Sequence, residues 1–292
     1  MILRIKYIRQ ILIIVLALIC YQHEAVSQKS DSSKVKRPGL FIGFGSGPAQ
    51  SDIINEGTLI VSKPQTFKQN SYVGYIEIGY FFSRGFGLST GFELNSSGAQ
   101  LTLGNYQNNY NTTDSENESY ERRVTGSDIK EEQKVDFLSV PFIISLRIPF
   151  GRKVGFFLQP GVNVAFPLST SYRSTGTFTY KGYYAADNVL FENLPAFGFP
   201  SNISVGSSGK LELTSYGFNA FASAGFDFFI LKKIQIVAGA FYIKSLSDIS
   251  NYSSPDNFNL TTDANQINSL MGGSRVSARS LGVRLSLRYY LR

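Results

Sequence analysis

Cysteine and histidine, which commonly act as nucleophile, proton acceptor or metal ligand, are scarce in this 292-residue chain. The only cysteine is Cys20 and the only histidine is His23, so both lie near the start. The run from Gly87 to Gly91 matches the Gly-x-Ser-x-Gly turn that presents a catalytic serine. That motif needs a histidine to accept the serine proton and a helix after the turn. No helix is indicated here, and His23 lies in a first segment that we expect to be removed. We interpret it as part of a strand, and we predict no catalytic residue.

The sequence gives equally little indication of a metal site. Asp114, Glu116 and Glu118 could hold Ca²⁺ through oxygen atoms. Their spacing lacks the glycine turn and the distal glutamate of a calcium-binding loop, so a solvated acidic loop is the favoured interpretation. We expect neither a metal nor a cofactor.

One constellation of charged residues remains as a candidate site. Strand alternation places three acids and three arginines on the same inner face of a sheet: Glu77, Glu93, Asp227, Arg147, Arg284 and Arg288. In a narrow lumen such groups should pair, because an unpaired buried charge costs several kcal/mol. The sequence therefore predicts a salt-bridged plug, and a polar ion path is the alternative.

The elements that would position these residues are strands. From Leu138 to Ile148 every even position is apolar, and from Leu281 to Leu291 every odd position is apolar or aromatic. This period of two is the signature of a strand with two different faces. The pattern predicts eight strands, at about 39–46, 72–82, 86–103, 134–148, 153–165, 212–230, 234–246 and 275–291.

The connections between these strands alternate between short and long. Tight turns follow the second, fourth and sixth strands, whereas the other connections are long and rich in Asn, Ser and Thr, such as 105–133. This is the plan of an outer-membrane barrel with short periplasmic turns and long extracellular loops. Lipid offers no partner for a backbone N–H or C=O, so the sheet must close. The predicted fold is all-β, an eight-stranded antiparallel up-and-down transmembrane β-barrel.

A soluble eight-stranded barrel of the lipocalin type also alternates, but with its apolar face inward. The polar face here consists mainly of small residues such as Gly87, Ser89 and Gly91, which suit the cramped interior of an eight-stranded barrel. A water-facing sheet would carry more Lys and Glu. We therefore favour the lipid-facing barrel and retain the soluble lipid-binding barrel as an alternative.

The first segment predicts export. Basic residues precede an apolar run from Ile11 to Ile19, and Ala25-Val26-Ser27 fits a signal-peptidase site. We expect 1–27 to be a cleaved signal peptide, 28–38 a short periplasmic segment and 39–292 the barrel domain. The formal charge of +7 is scattered rather than striped, so no nucleic-acid partner is expected.

Two runs resemble a known family. Phe137-Leu138-Ser139-Val140-Pro141-Phe142-Ile143-Ile144, followed by Phe156-Phe157-Leu158-Gln159-Pro160-Gly161-Val162, is similar to the central hairpin of the outer-membrane β-barrel domain common in Bacteroidetes. That family includes a PorT-like branch tied to protein secretion. In place of the family's carboxylate before the strand proline this chain has Ser139, and after Tyr289-Tyr290 it ends in Leu291-Arg292 rather than in an aromatic residue.

We therefore expect a non-enzymatic, monomeric protein of the bacterial outer membrane, in contact with membrane lipid. Its expected role is structural, or an interaction with an outer-membrane or periplasmic protein, as an accessory to secretion or envelope assembly. A narrow porin-like channel for ions or small solutes is the alternative.

Overall fold

The computed structural model describes residues 39–56, 65–151, 153–251, 259–273 and 275–291. The expected signal peptide at 1–27 and the segment 28–38 lie outside the described residues. Ten strands follow one another in this part of the chain: β1 Leu40–Glu56, β2 Gln65–Phe81, β3 Phe86–Thr113, β4 Ser119–Phe150, β5 Val154–Tyr184, β6 Val189–Glu192, β7 Ile203–Gly209, β8 Gly217–Phe229, β9 Ile234–Ser245 and β10 Arg275–Tyr290. Two short 3-10 helices, Pro195–Phe197 and Leu270–Gly273, interrupt the connections.

Eight of these strands close into an antiparallel barrel, as predicted. Neighbours pair in the order β1, β2, β3, β4, β5, β8, β9 and β10, and β10 pairs back onto β1. The closing pair runs in register from Phe41 opposite Tyr290 to Glu56 opposite Arg275. The two remaining strands, β6 and β7, pair with the part of β5 that extends beyond β8.

The apolar face of the sheet points outward, which is the orientation that the lipid-facing prediction requires. On β4, Phe142 and Ile144 are exposed, whereas their neighbours Ser145 and Arg147 are buried in the lumen. β10 repeats the contrast, with Leu285 exposed and Arg284 buried. This outward apolar band reaches from the short turns to about Leu138 on β4 and Leu168 on β5.

Several predicted strand ends were wrong, because the strands continue far above the apolar band. β3, β4 and β5 have 28, 32 and 31 residues, and 105–133, predicted to be a long loop, forms paired strands on both sides of a turn. Conversely, the strand predicted from residue 212 begins at Gly217. The connection between β5 and β8 contains β6 and β7, which were not predicted.

Above the apolar band, the inner face of the sheet becomes apolar and the outer face becomes polar. Inside the band, β4 directs Ser139, Ser145 and Arg147 into the barrel, whereas higher on the same strand it directs Val124 and Ile129 inward. Water replaces lipid outside the barrel at this height, so apolar groups gain free energy by facing inward. The alternation therefore reverses its chemical sense along one strand.

No helix in the described residues has both the length and the apolar character needed to cross a membrane.

Candidate functional site

Aromatic rings close the periplasmic end of the lumen. Phe41 and Tyr290 have ring centroids 5.5 Å apart, and Phe41 and Phe81 are separated by 5.7 Å. Phe229 packs against this cluster, and the Tyr290 hydroxyl donates to Gln235 Oε1 at 2.8 Å. We call Phe41, Phe81, Phe229 and Tyr290 the aromatic floor. It fills the bore next to the short turns.

Two buried ion pairs lie directly above the aromatic floor. Arg288 Nε lies 2.6 Å from Glu77 Oε1, and Arg147 Nη2 lies 2.7 Å from Asp227 Oδ1. All four side chains are 2–4% exposed. Arg147 Nε also donates to both oxygens of Asp227. These four residues form what we call the charged layer.

A glycine faces each of these ion pairs. Gly155 pairs with Asp227 across β5 and β8, and a Cβ there would lie 2.6 Å from the guanidinium carbon of Arg147. Gly43 lies opposite both Glu77 and Arg288, and a Cβ there would lie 2.8 Å from Glu77 Oε1. The missing side chains leave the space in which the long arginine side chains cross the bore.

The other two predicted site residues are also inside, but they do not form an ion pair with each other. Arg284 Nη2 donates to Gln159 Oε1 at 2.5 Å, and its guanidinium lies 4.9 Å from the centroid of the Phe221 ring. Glu93 Oε1 accepts from Asn163 Nδ2 at 3.5 Å. The expectation that each of the three acids pairs with an arginine was wrong for Glu93, because neutral amides occupy the positions next to it and to Arg284.

Apolar side chains fill the bore above the charged residues. A first group is formed by Ala49, Val73, Ile143, Phe221, Phe241 and Ile243. Higher up, outside the apolar band, a second cluster contains Ile53, Val135, Phe137 and Met271. These layers contain no row of charged groups that could lead an ion through the barrel.

The extracellular mouth is occupied by residues 259–273 of the connection between β9 and β10, which we call the mouth segment. Its side chains Leu260, Ile267 and Leu270 pack with the inner faces of β3, β4, β5 and β7. The Tyr106 hydroxyl accepts from the Leu260 N–H at 3.2 Å, and Tyr180 Oη lies 2.8 Å from Thr261 Oγ1. The mouth is therefore closed by the chain itself.

One carboxyl group is buried beneath the mouth segment. Glu131 accepts hydrogen bonds from Gln133, Ser174, Ser269 and Leu270, and it has no ionic partner among the described residues. Burial raises the pKa of Glu131, against the hydrogen bonds, which act to lower it. Glu131 was not predicted as a site residue, because it lies in a stretch predicted to be a loop; Ile129 and Val135, which are buried on the same side of β4, were the available signal.

Far above the apolar band, aromatic side chains cluster at the end of the sheet. Tyr120 and Tyr184 stack with centroids 5.1 Å apart, and Arg122 lies 5.1 Å from the centroid of the Tyr180 ring. On the β6 side, exposed apolar residues cover the surface: Val189, Leu190, Phe191, Leu194 and Phe197. We call this set of five the apolar tip.

The acidic loop at Asp114 forms a hydrogen-bonded turn. Asp114 Oδ1 accepts the backbone N–H of Glu116 at 2.9 Å and that of Glu118 at 3.0 Å. Asp114 Oδ2 accepts the Tyr184 hydroxyl at 3.0 Å. Within the described ranges, no group of three or more acidic, histidine or cysteine side chains could hold a metal ion.

Solved structures similar to this chain are outer-membrane barrels of low sequence identity. Ail, the attachment invasion locus protein of Yersinia pestis, is 12% identical, with 86% of this chain and 99% of that chain covered and a TM-score of 0.32. OprG of Pseudomonas aeruginosa is 13% identical, with 87% and 97% covered and a TM-score of 0.35. Neisserial surface protein A is 10% identical, with the same coverages and TM-score as OprG. No curated protein matches the chain.

The family comparison covers most of the sequence. The family model described as outer membrane protein beta-barrel domain matches residues 26–251, which include β1 to β9. The lipid-facing apolar band, the closed ring of eight strands and this match agree on a location in the bacterial outer membrane. The chain belongs to the outer membrane protein beta-barrel domain family.

Proposed function

We propose that this protein is a non-enzymatic outer-membrane barrel that acts through contacts with a protein partner and conducts no solute. The observation that carries this proposal is that packed side chains obstruct the bore at several successive levels. The aromatic floor, the charged layer, the apolar groups and the mouth segment succeed one another from the periplasmic to the extracellular end. A barrel of eight strands has little free bore to begin with.

The apolar tip supports a role in protein contact. Phe197 is 75% exposed on its short 3-10 helix, and the other four residues of the apolar tip are exposed on the same extracellular extension. Contiguous exposed apolar groups are typical of interaction sites. The resemblance to the PorT-like branch of Bacteroidetes barrels points to a partner in protein secretion or envelope assembly.

Planar-bilayer recording tests the absence of conduction. We expect the purified barrel to give no discrete conductance steps above those of bilayers treated with detergent alone. A porin of known conductance, recorded under the same conditions, serves as the positive control. Reproducible steps from the unmodified protein that change on Arg147→Ala or Arg288→Ala would favour the narrow channel instead.

Crosslinking in intact cells tests the partner. A photoreactive amino acid in place of Phe197 should give a discrete crosslinked species, and the same amino acid at Ser204, which is exposed on neighbouring β7, should not. Equal crosslinking from both positions, or none from either, would contradict a contact made by the apolar tip.

A further inference from the structure

The mouth segment is fastened to the barrel wall at one buried carboxyl. Glu131 lies on β4, seven residues beyond Leu138 at the edge of the apolar band, and it is completely buried. From the wall, Ser174 Oγ donates to Oε2 at 2.5 Å and Gln133 Nε2 donates to Oε1 at 2.6 Å.

The mouth segment supplies the other two hydrogen bonds. Ser269 Oγ donates to Glu131 Oε1 at 2.7 Å, and the Leu270 N–H donates to Oε2 at 2.8 Å. The residue after this pair, Met271, is fully buried in the apolar cluster of the upper bore. The carboxyl therefore joins the barrel wall to the mouth segment.

Charged groups on the neighbouring elements are directed away from this carboxyl. Lys130 and Glu132 alternate with Glu131 on β4 and are exposed, and so are Arg173 on β5 and Asp263 on the mouth segment.

The remaining neighbouring elements, as far as the structure describes them, bring no cation to this carboxyl. On the connection after β9, Asp248 accepts from Ser250 and from the Val276 N–H. β3 presents the apolar Leu101 opposite Glu131, and β7 contains no charged residue. No cation in the described residues compensates a negative charge on Glu131.

We propose that Glu131 is a proton-controlled latch: it holds the mouth segment in the barrel most firmly when it carries a proton, and the segment opens more readily as the pH rises. Both serines can accept as well as donate a hydrogen bond, so the contact survives protonation of the carboxyl. When the segment leaves, water solvates the carboxylate.

The sign follows from linkage between protonation and closure. Burial raises the pKa of Glu131 in the closed state above its ordinary value of 4.5, so closure takes up a proton. Closure is strongest below the ordinary pKa and weakens as the pH rises from there through the raised pKa. Each unit by which closure raises the pKa changes the closing equilibrium by up to about tenfold.

Cysteine accessibility measures the opening. In the full chain with Cys20→Ser, Ile267→Cys places a thiol at a buried position of the mouth segment, and Ser204→Cys places one at an exposed position of β7. The rate of labelling at position 267 by a membrane-impermeant maleimide, divided by the rate at position 204, removes the intrinsic pH dependence of the thiol. We expect this ratio to rise severalfold between pH 5 and pH 8.

Two variants separate the latch from other causes. Glu131→Gln, a neutral isostere, should keep the ratio low and independent of pH. Ser269→Ala removes one donor from the segment and should raise the ratio by about tenfold at every pH, as expected for one lost buried hydrogen bond, while the pH dependence remains. A difference in gel mobility between heated and unheated samples verifies that each variant is folded. A ratio that does not change with pH when Glu131 is present, or an unchanged pH dependence in Glu131→Gln, overturns the proposal.

Discussion

The two buried ion pairs show how single residues determine what the bore can do. Arg147 and Asp227 are each 2% exposed and make three short contacts, so neither charge can be satisfied by water if the other is removed. A buried pair adds little stability relative to apolar residues of the same size, but breaking it is costly because it leaves an uncompensated charge. The main effect of these ion pairs is therefore to occupy the lumen, and they add little to the free energy of unfolding.

At the residue scale we predict that Asp227→Asn lowers the free energy of unfolding by about 3–5 kcal/mol, since Arg147 loses its partner. Urea unfolding of the barrel in lipid vesicles, followed by gel mobility, measures this change. The double replacement Arg147→Met and Asp227→Leu should be less destabilising than Asp227→Asn alone.

A matched surface pair provides the control. Lys181 and Glu192 lie 2.5 Å apart, with side chains 37% and 51% exposed, so Glu192→Gln should cost less than about 1 kcal/mol. If Asp227→Asn cost no more than Glu192→Gln, the interpretation of the charged layer as a desolvated plug would be wrong.

The strands show why part of the fold could be predicted and part could not. The alternation between Leu138 and Ile148 predicted an outward apolar face on β4, and the structure confirms it. The same strand continues upward to Ser119, where Val124 and Ile129 face inward. Once lipid gives way to water outside, the inward residues become the apolar ones, so a search for one constant pattern ends near Lys134.

The same reversal explains β9. Lys244 follows the outward position of Tyr242 and is exposed, whereas Ile243 is buried. Near Ile243 and Lys244 the sequence pattern slips by one position, which predicts a bulge or the end of the strand. The pairing of β9 with β10 continues without a bulge through Lys244 opposite Arg279, and the strand ends at Ser245. The strand leaves the apolar band at this residue, and its outer face becomes polar.

Closure of the ring by β1 and β10 gives an element-scale prediction. Phe44 and Leu287 are directly opposite each other, and paired positions on antiparallel strands have Cβ atoms about 5 Å apart. In a Cys20→Ser chain, Phe44→Cys with Leu287→Cys should form an intramolecular disulfide on oxidation, seen as altered gel mobility after denaturation.

Leu158→Cys in place of the cysteine at 287 serves as the control, because Leu158 faces outward from β5, which pairs with neither β1 nor β10. Crosslinking of both pairs to the same extent, or of neither pair, would contradict a barrel closed between its first and last strands.

On the scale of the whole molecule, the interior is ordered in layers that the sequence indicated only in part. It placed Glu77, Arg147, Asp227 and Arg288 inside, but partners depend on the register of strands that are distant in sequence, such as β4 and β8. The position of the mouth segment could not be predicted for the same reason: Leu270 and Glu131, which form a hydrogen bond, are 139 residues apart in the sequence. These contacts depend on how distant strands pack in the tertiary structure, and no local sequence pattern predicts them.

The orientation of the sheet is the claim on which the account depends, and lipid quenching tests it directly. The chain contains no tryptophan, so Phe142→Trp reports an outward position, and Phe241→Trp an inward one. In vesicles of lipids with brominated acyl chains, we predict strong quenching of tryptophan fluorescence at 142 and little at 241. Strong quenching at 241 with little at 142 would place the apolar face in the lumen and contradict the account.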